Sequence, residues 1–168
     1  ILKKDMANIG DAKIDVDKVE AKETIEVLPS KENAYVKAVK FVIASLLHGK
    51  SYSKLNDSIC ENLLNNDFVT IYNYIKRCNA DNKQPIVSNV FDMFDVENNY
   101  DVRDIIAYEF NKTCDNEKFY VDCVNTIVEY GLKHKQDDLL RQIKESKDMD
   151  ERKALTLELN KIIRKIKK

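Results

Sequence analysis

Apolar side chains return every three or four positions through most of this chain, the spacing that gathers them on one face of a helix. Tyr35, Val39, Val42, Ile43, Leu46 and Leu47 make the first such face. Ser30 ahead of it is a suitable N-cap and Gly49 behind it a natural stop. A second helix is predicted from about Lys54 to Leu64, carrying Leu55, Ile59 and Leu63. A third, capped by Asp67, carries Phe68, Ile71, Tyr72 and Ile75. Pro85 suits the first turn of a fourth, with Ile86, Val90, Phe91 and Phe94, and Asp101 caps a fifth, with Val102, Ile105, Ile106 and Phe110.

The last third reads differently. From Asn116 to Lys147 there is no proline and no cluster of turn residues. One helix of that length would reach ~48 Å at 1.5 Å per residue, more than a small bundle needs. Its first half has an apolar face of Phe119, Cys123, Val124, Ile127 and Val128. Gly131 then interrupts the pattern and is expected to act as a flex point or hinge. Beyond it the stripe thins to Leu132, Leu139, Leu140 and Ile143. After a break at residues 146–150, Asp148 and Glu151 have capping-box spacing for a final helix. Leu155, Leu159, Ile162 and Ile166 then recur at steps of four, three and four, as a helix–helix seam requires.

The expected architecture is all-α. A bundle of about five to six helices, residues 30–131, is joined by a long helix to a C-terminal helical hairpin, residues 132–168. Residues 1–29 are charged, lack aromatic side chains and keep no helical period, so they read as a linker or loosely ordered segment, with room for a short strand at 24–28.

Composition narrows the chemistry. Three Gly and two Pro are too few for an all-β fold or a phosphate-cradling Gly-rich loop. The longest apolar run, Phe41 to Leu47, falls far short of the ~20 residues that span a bilayer, so no membrane segment is expected. Cys60, Cys78, Cys114 and Cys123 form no Cys-x-x-Cys pair and are read as free thiols of a reducing compartment. His48 and His134 have no partner at metal-ligand spacing. The carboxylate pairs Asp92/Asp95 and Asp137/Asp138 fall among polar helical positions and read as solvated faces. No cofactor, metal site or catalytic constellation is expected.

Charge is uneven. Residues 133–168 carry 12 Lys/Arg against 7 Asp/Glu, a net of +5, while residues 1–132 carry 16 against 22, a net of −6. The basic end, with Lys161, Arg164, Lys165, Lys167 and Lys168, could touch phosphates. No aromatic residue follows Tyr130, however, so nothing there stacks on bases, and the charges suit a helix C-terminus. Direct nucleic-acid binding is not expected. The hairpin does hold more apolar positions than two helices need. A seam of Leu140, Ile143, Leu155, Leu159, Ile162 and Ile166 leaves Leu139, Met149, Ala154, Leu157 and Ile163 to its side. Either the hairpin folds back on the bundle, or a partner covers this surplus.

The stretch Phe119–Lys144, with its aromatic pair, Asp122, Cys123-Val124 and later leucine-bearing basic turns, resembles the long connecting helix of bacterial DnaG-type DNA primases. Asp150–Lys168 is similar to that family's final helix, which often ends in a Lys-rich tail. Upstream, Glu32–Leu47, Leu55–Leu64, Asp67-Phe68 and Ile71-Tyr72 follow the order of the family's preceding bundle. The resemblance covers about residues 32–168 and rests on apolar spacing and helix lengths. The Asn-rich connections at 65–66 and 98–99 are this chain's own.

What the resemblance implies is a non-catalytic helicase-binding domain. It would dock the primase on the N-terminal domains of the hexameric, DnaB-type replicative helicase, in the bacterial cytoplasm at the replication fork. The zinc-binding and RNA-polymerising domains would precede Ile1, and the chain, which opens without Met, is read as part of a longer protein. The helicase-binding residues nominated on the hairpin are Leu139, Ile143, Met149, Arg152, Leu155, Leu157, Leu159, Ile162, Ile163 and Ile166. Two other readings stand: the N-terminal domain of the helicase itself, which should run on toward a nucleotide-binding domain, and a helical nucleic-acid-binding module.

Overall fold

The innermost helix, α1 (Lys31–Leu47), is enclosed on every side over its last two turns, where Phe41 through Leu47 are all buried. A helix apolar all round belongs at the centre of a bundle. The one polar side chain there, Ser45, satisfies itself by donating to Phe41 O at 2.7 Å. Gly49, at φ 72°, stops the helix: Lys50 N–H reaches Ser45 O at 2.9 Å, closing a left-handed C-terminal cap. These positions come from a computed structural model that describes residues 31–167. The expectations for residues 1–29 and for the Ser30 cap lie outside the described residues.

Around α1 the chain places α2 (Asp57–Glu61), α3 (Asn66–Ala80), α4 (Val87–Met93), a 3-10 turn (Val96–Asn98) and α5 (Tyr100–Ile106). The long α6 (Glu117–Glu145) and the final α7 (Met149–Lys167) follow. The protein is all-helical: the described residues contain seven α-helices and no strand. Tyr35–Lys168 forms one compact unit.

The segment around α2 departs most from expectation. The helix predicted over 54–64 is only five residues long, because three core tyrosines take the backbone groups a longer helix would use. Tyr120 Oη accepts from Lys54 N at 3.2 Å and donates to Lys54 O at 2.8 Å. Tyr72 Oη does the same at Asn56, both at 2.9 Å. Tyr35 Oη donates to Asn62 O at 2.7 Å and accepts from Leu64 N at 3.0 Å. All three rings are buried, and burial raises each phenol's pKa, that of Tyr120 to about 12. They stay neutral, and so able to donate, at any ordinary pH.

Caps also shifted by a residue or two. Asn65, not Asp67, caps α3, with Asn65 Oδ1 accepting from Asp67 N at 2.7 Å. Asp67 instead accepts from Asn99 Nδ2 at 2.9 Å. Asn99, not Asp101, caps α5, while Asp101 and Asp104 pair with Lys40 on α1 at 2.9 and 2.7 Å. In each case the amide satisfies the free helical N–H, leaving the carboxylate for a partner elsewhere. Ile86 and Phe91 of the fourth predicted face are more than half exposed, leaving Val90 as the buried residue of α4. Phe110 lies beyond α5 in the 107–116 loop, packed edge-on against Phe41.

The loop's end is clamped to the α1–α2 connection. Asp115 accepts from Lys50 Nζ at 2.8 Å and from Tyr52 Oη at 2.6 Å. Asn116 then caps α6 by accepting from Phe119 N at 2.9 Å. On α6, Tyr120, Cys123 and Ile127 face the bundle core, and Tyr130 stacks on Tyr35 at 4.5 Å between centroids. Tyr120 was absent from the predicted face because its apolar ring and polar tip serve two neighbours at once.

Gly131 does not break the helix. α6 runs unbroken through it, and the residue is buried against Asn62. A side chain there would collide with Asn62 Oδ1 and come within 2.7 Å of its Cγ. The glycine serves close approach. Asn62 Oδ1 is buried with no hydrogen-bond partner among the described residues.

Three expectations follow. Tyr72→Phe strands both backbone groups of Asn56 and should cost about 1–3 kcal/mol in urea unfolding. Gly131→Ala should cost a similar ~1–3 kcal/mol by overpacking, less in an Asn62→Gly background. The Lys50 ammonium, and then the Tyr52 hydroxyl, hold the Asp115 carboxyl below its ordinary 3.8. That depression stabilises the fold above the ordinary value and is lost as pH falls through the depressed one. Asp115→Asn should therefore be less stable than wild type at pH 7, the gap closing in acid unfolding below about pH 4.

Candidate docking surface

Past Gly131 the chain leaves the bundle core, and α6 pairs with α7 along an antiparallel hairpin. The turn is short. Ser146 N–H bonds back to Gln142 O at 2.9 Å, and Asp148 Oδ1 accepts from Asp150 N at 2.9 Å to start α7. The hairpin's root is tied to the bundle by Lys135 Nζ, which donates to Glu61 O at 2.7 Å. That bond fills one of the carbonyls left free at the end of a helix.

The seam keeps Ile143, Leu155, Leu159 and Ile162 of the set the spacing suggested and leaves out Leu140 and Ile166. Leu132, Leu159 and Ile162 are its buried members, and Leu139, Ile143, Leu155 and Ile163 are half-buried. On α6 the inward stripe runs 132, 136, 139 and 143, so Gln136 stands where an apolar residue would be looked for. Leu140 is therefore turned out and is 43% exposed. Ile166, near the end of α7, is 42% exposed rather than in the seam.

The nominated residues thus fall into three groups. Leu159 and Ile162 hold the hairpin shut and offer a partner little surface. Leu139, Ile143, Leu155 and Ile163 are half covered. Met149, Leu157, Ile166 and Arg152 are exposed, Met149 at 68% and Leu157 at 65%. Ile143, Met149, Arg152, Lys153, Thr156 and Leu157 together line an open, mainly apolar groove of about 550 Å³ at the hairpin's tip. Lys153 and Thr156 were missed because a search for apolar positions passes over them. Yet 149, 152, 153, 156 and 157 are one helical stripe, whose stems and methyl groups supply apolar surface.

The hairpin's outer face is laced with exposed pairs: Lys133–Asp137 at 3.4 Å, Arg141 with Asp138 and Glu145, and Lys161–Glu158 at 3.4 Å. Arg141, and then Gln142, lower the Asp138 carboxyl's pKa. Such exposed pairs, screened by solvent, contribute little to stability. The carboxylates at 137 and 138 are thus bound to their own helix. His48 Nε2 lies 3.3 Å from Ile105 O, with the ring edge-on to Phe110, and His134 is exposed on α6. The four cysteines are free thiols, and burial pushes the Cys123 thiol up to about 12. Among the described residues no group of three or more His, Cys, Asp or Glu could hold a metal ion, and no helix is long and apolar enough to cross a membrane.

The division into seam and groove is measurable. Leu159→Ala should lower the hairpin's stability by about 2–4 kcal/mol, read as faster hydrogen exchange in α7. Leu157→Ala should stay within about 0.5 kcal/mol of wild type. Comparison with known proteins gives no relative: no family model, curated protein or solved structure matches the chain.

Proposed function

We propose that this chain is a non-catalytic docking module whose hairpin-tip groove receives an apolar helix of a partner protein. The observation that carries the reading is the pair Met149 and Leu157, two large apolar side chains two-thirds exposed on a helix whose inner face is already packed. Water around such side chains is released when a partner's apolar ridge covers them. Arg152 and Lys153 border the same groove and favour acidic residues flanking that ridge.

The partner proposed is the N-terminal domains of a hexameric replicative helicase. The support is the resemblance of residues 32–168 to the helicase-binding domain of bacterial primases, with which a bundle, a long helix and a hairpin are compatible. On this reading the chain makes no primer itself. It would belong to a primase acting at the replication fork in the bacterial cytoplasm. By holding that enzyme beside the helicase it would raise its local concentration at the template, speeding priming without new chemistry.

Calorimetric titration against the cognate helicase hexamer tests this. Saturable binding is expected, weakened at least tenfold by Met149→Ser with Leu157→Ser, and unchanged in helix content by circular dichroism. Equal binding by wild type and variant would move the site off the groove. No binding by the folded wild-type chain would remove the helicase as partner.

A further inference from the structure

A second concavity, of about 490 Å³, opens on the bundle between the end of α1, the 50–55 connection and the end of α3. It shares no lining residue with the hairpin groove. Its apolar part includes the buried Leu46 and Ile75. Its polar part carries three lysines, Lys50, Lys54 and Lys83, with Gln84 among the neutral side chains, and its lining contains no carboxylate.

The three lysines are not equivalent. Lys50 is already balanced by Asp115 at 2.8 Å. Lys54 and Lys83 have no carboxylate partner among the described residues. Their backbones are nevertheless fixed. Lys54 is held by Tyr120 Oη at both N–H and C=O. Lys83 follows the left-handed Asn82 (φ 56°), and its N–H closes on Cys78 O at 2.8 Å. Gln84 is seated too. Its amide lies against Gly49, whose missing Cβ makes the room, and Nε2 makes no hydrogen bond within the described residues. Two exposed lysines without a carboxylate partner and a free amide donor thus line one cleft whose lining contains no carboxylate.

From this we infer that the cleft is a binding site for a diphosphate group, carried by a small phosphorylated metabolite. Two or more phosphate charges match the two unbalanced lysines, which act as point charges on phosphate oxygens. The Gln84 amide adds a neutral donor. No aromatic ring lines the cleft, so a stretch of single-stranded nucleic acid, which is held by stacking as well as by charge, fits it less well. The volume lies in the range of small-ligand sites.

The test is titration of the intact chain with inorganic pyrophosphate, and separately with guanosine diphosphate, followed by amide chemical shifts. Saturable shifts centred on Lys54, Lys83 and Gln84 are expected. Lys54→Gln with Lys83→Gln should weaken binding at least tenfold, whereas Lys161→Gln with Lys165→Gln on the hairpin should not change it. Equal affinity for the two probes would define a site for phosphates alone. Tighter binding of the nucleotide would place its nucleoside on the apolar wall, and both results uphold the inference. Three results would overturn it: no saturable shift at millimolar pyrophosphate, equal loss in the hairpin variant, or binding of a single-stranded oligonucleotide without binding of pyrophosphate.

Discussion

Three tyrosine hydroxyls in the core hold the short segment from Lys54 to Leu64, and the rest of the molecule is arranged around that attachment. Tyr35 comes from α1, Tyr72 from α3 and Tyr120 from α6. Each spans a donor and an acceptor of one stretch of backbone, so three helices are tied to a segment too short to fold alone. The rings contribute buried area and the hydroxyls satisfy peptide groups that would otherwise be left without partners in a partly dry site. The same segment presents Asn62 to Gly131 and the carbonyl of Glu61 to Lys135. The place where the hairpin leaves the bundle is thus set by the piece of chain that the tyrosines fix.

Continuity of α6 follows from that constraint. A glycine inside a helix costs about 1 kcal/mol relative to alanine, and in isolation Gly131 suggests a flexible joint. In the fold α6 meets the α2 segment there, and Asn62 occupies the space a side chain would need. The hairpin is consequently an extension of a core helix. Its tip carries an apolar groove, while its inner seam is closed by Leu132, Leu159 and Ile162. A groove on a rigid arm loses less freedom on binding than one on a loose arm, which suits the docking role proposed for it.

Helices with a strong apolar period were legible in the sequence: α1, α3 and α7 lie where the spacing of Val39, Val42 and Ile43, of Phe68, Ile71 and Ile75, and of Leu155, Leu159 and Ile162 placed them. What was hidden depends on contacts distant in sequence. The shortening of α2 needs Tyr120, which is 66 residues from its partner Lys54. The packing role of Gly131 needs Asn62. The caps at Asn65 and Asn99 were overlooked because a neighbouring aspartate looked equally suitable, and only the fold shows those aspartates engaged elsewhere. At the candidate site, Met149 and Leu157 were found as surplus apolar residues, but Lys153 and Thr156 escaped because they contribute through stems and methyl groups. The lysine-lined cleft left no trace in sequence, since Lys54 and Lys83 are brought together only by folding.

The central claim is that one unbroken helix, fixed at Gly131 by the tyrosine-held segment, carries the hairpin off the bundle as a stiff arm. Amide hydrogen exchange along α6 reads this most directly. The account predicts that amides from Ile127 through Lys135 exchange as slowly as those of Tyr120 to Cys123 in the bundle core, with protection declining only toward Glu145. Fast exchange confined to the residues around Gly131, with slow exchange on both sides, would show a hinge there and contradict it.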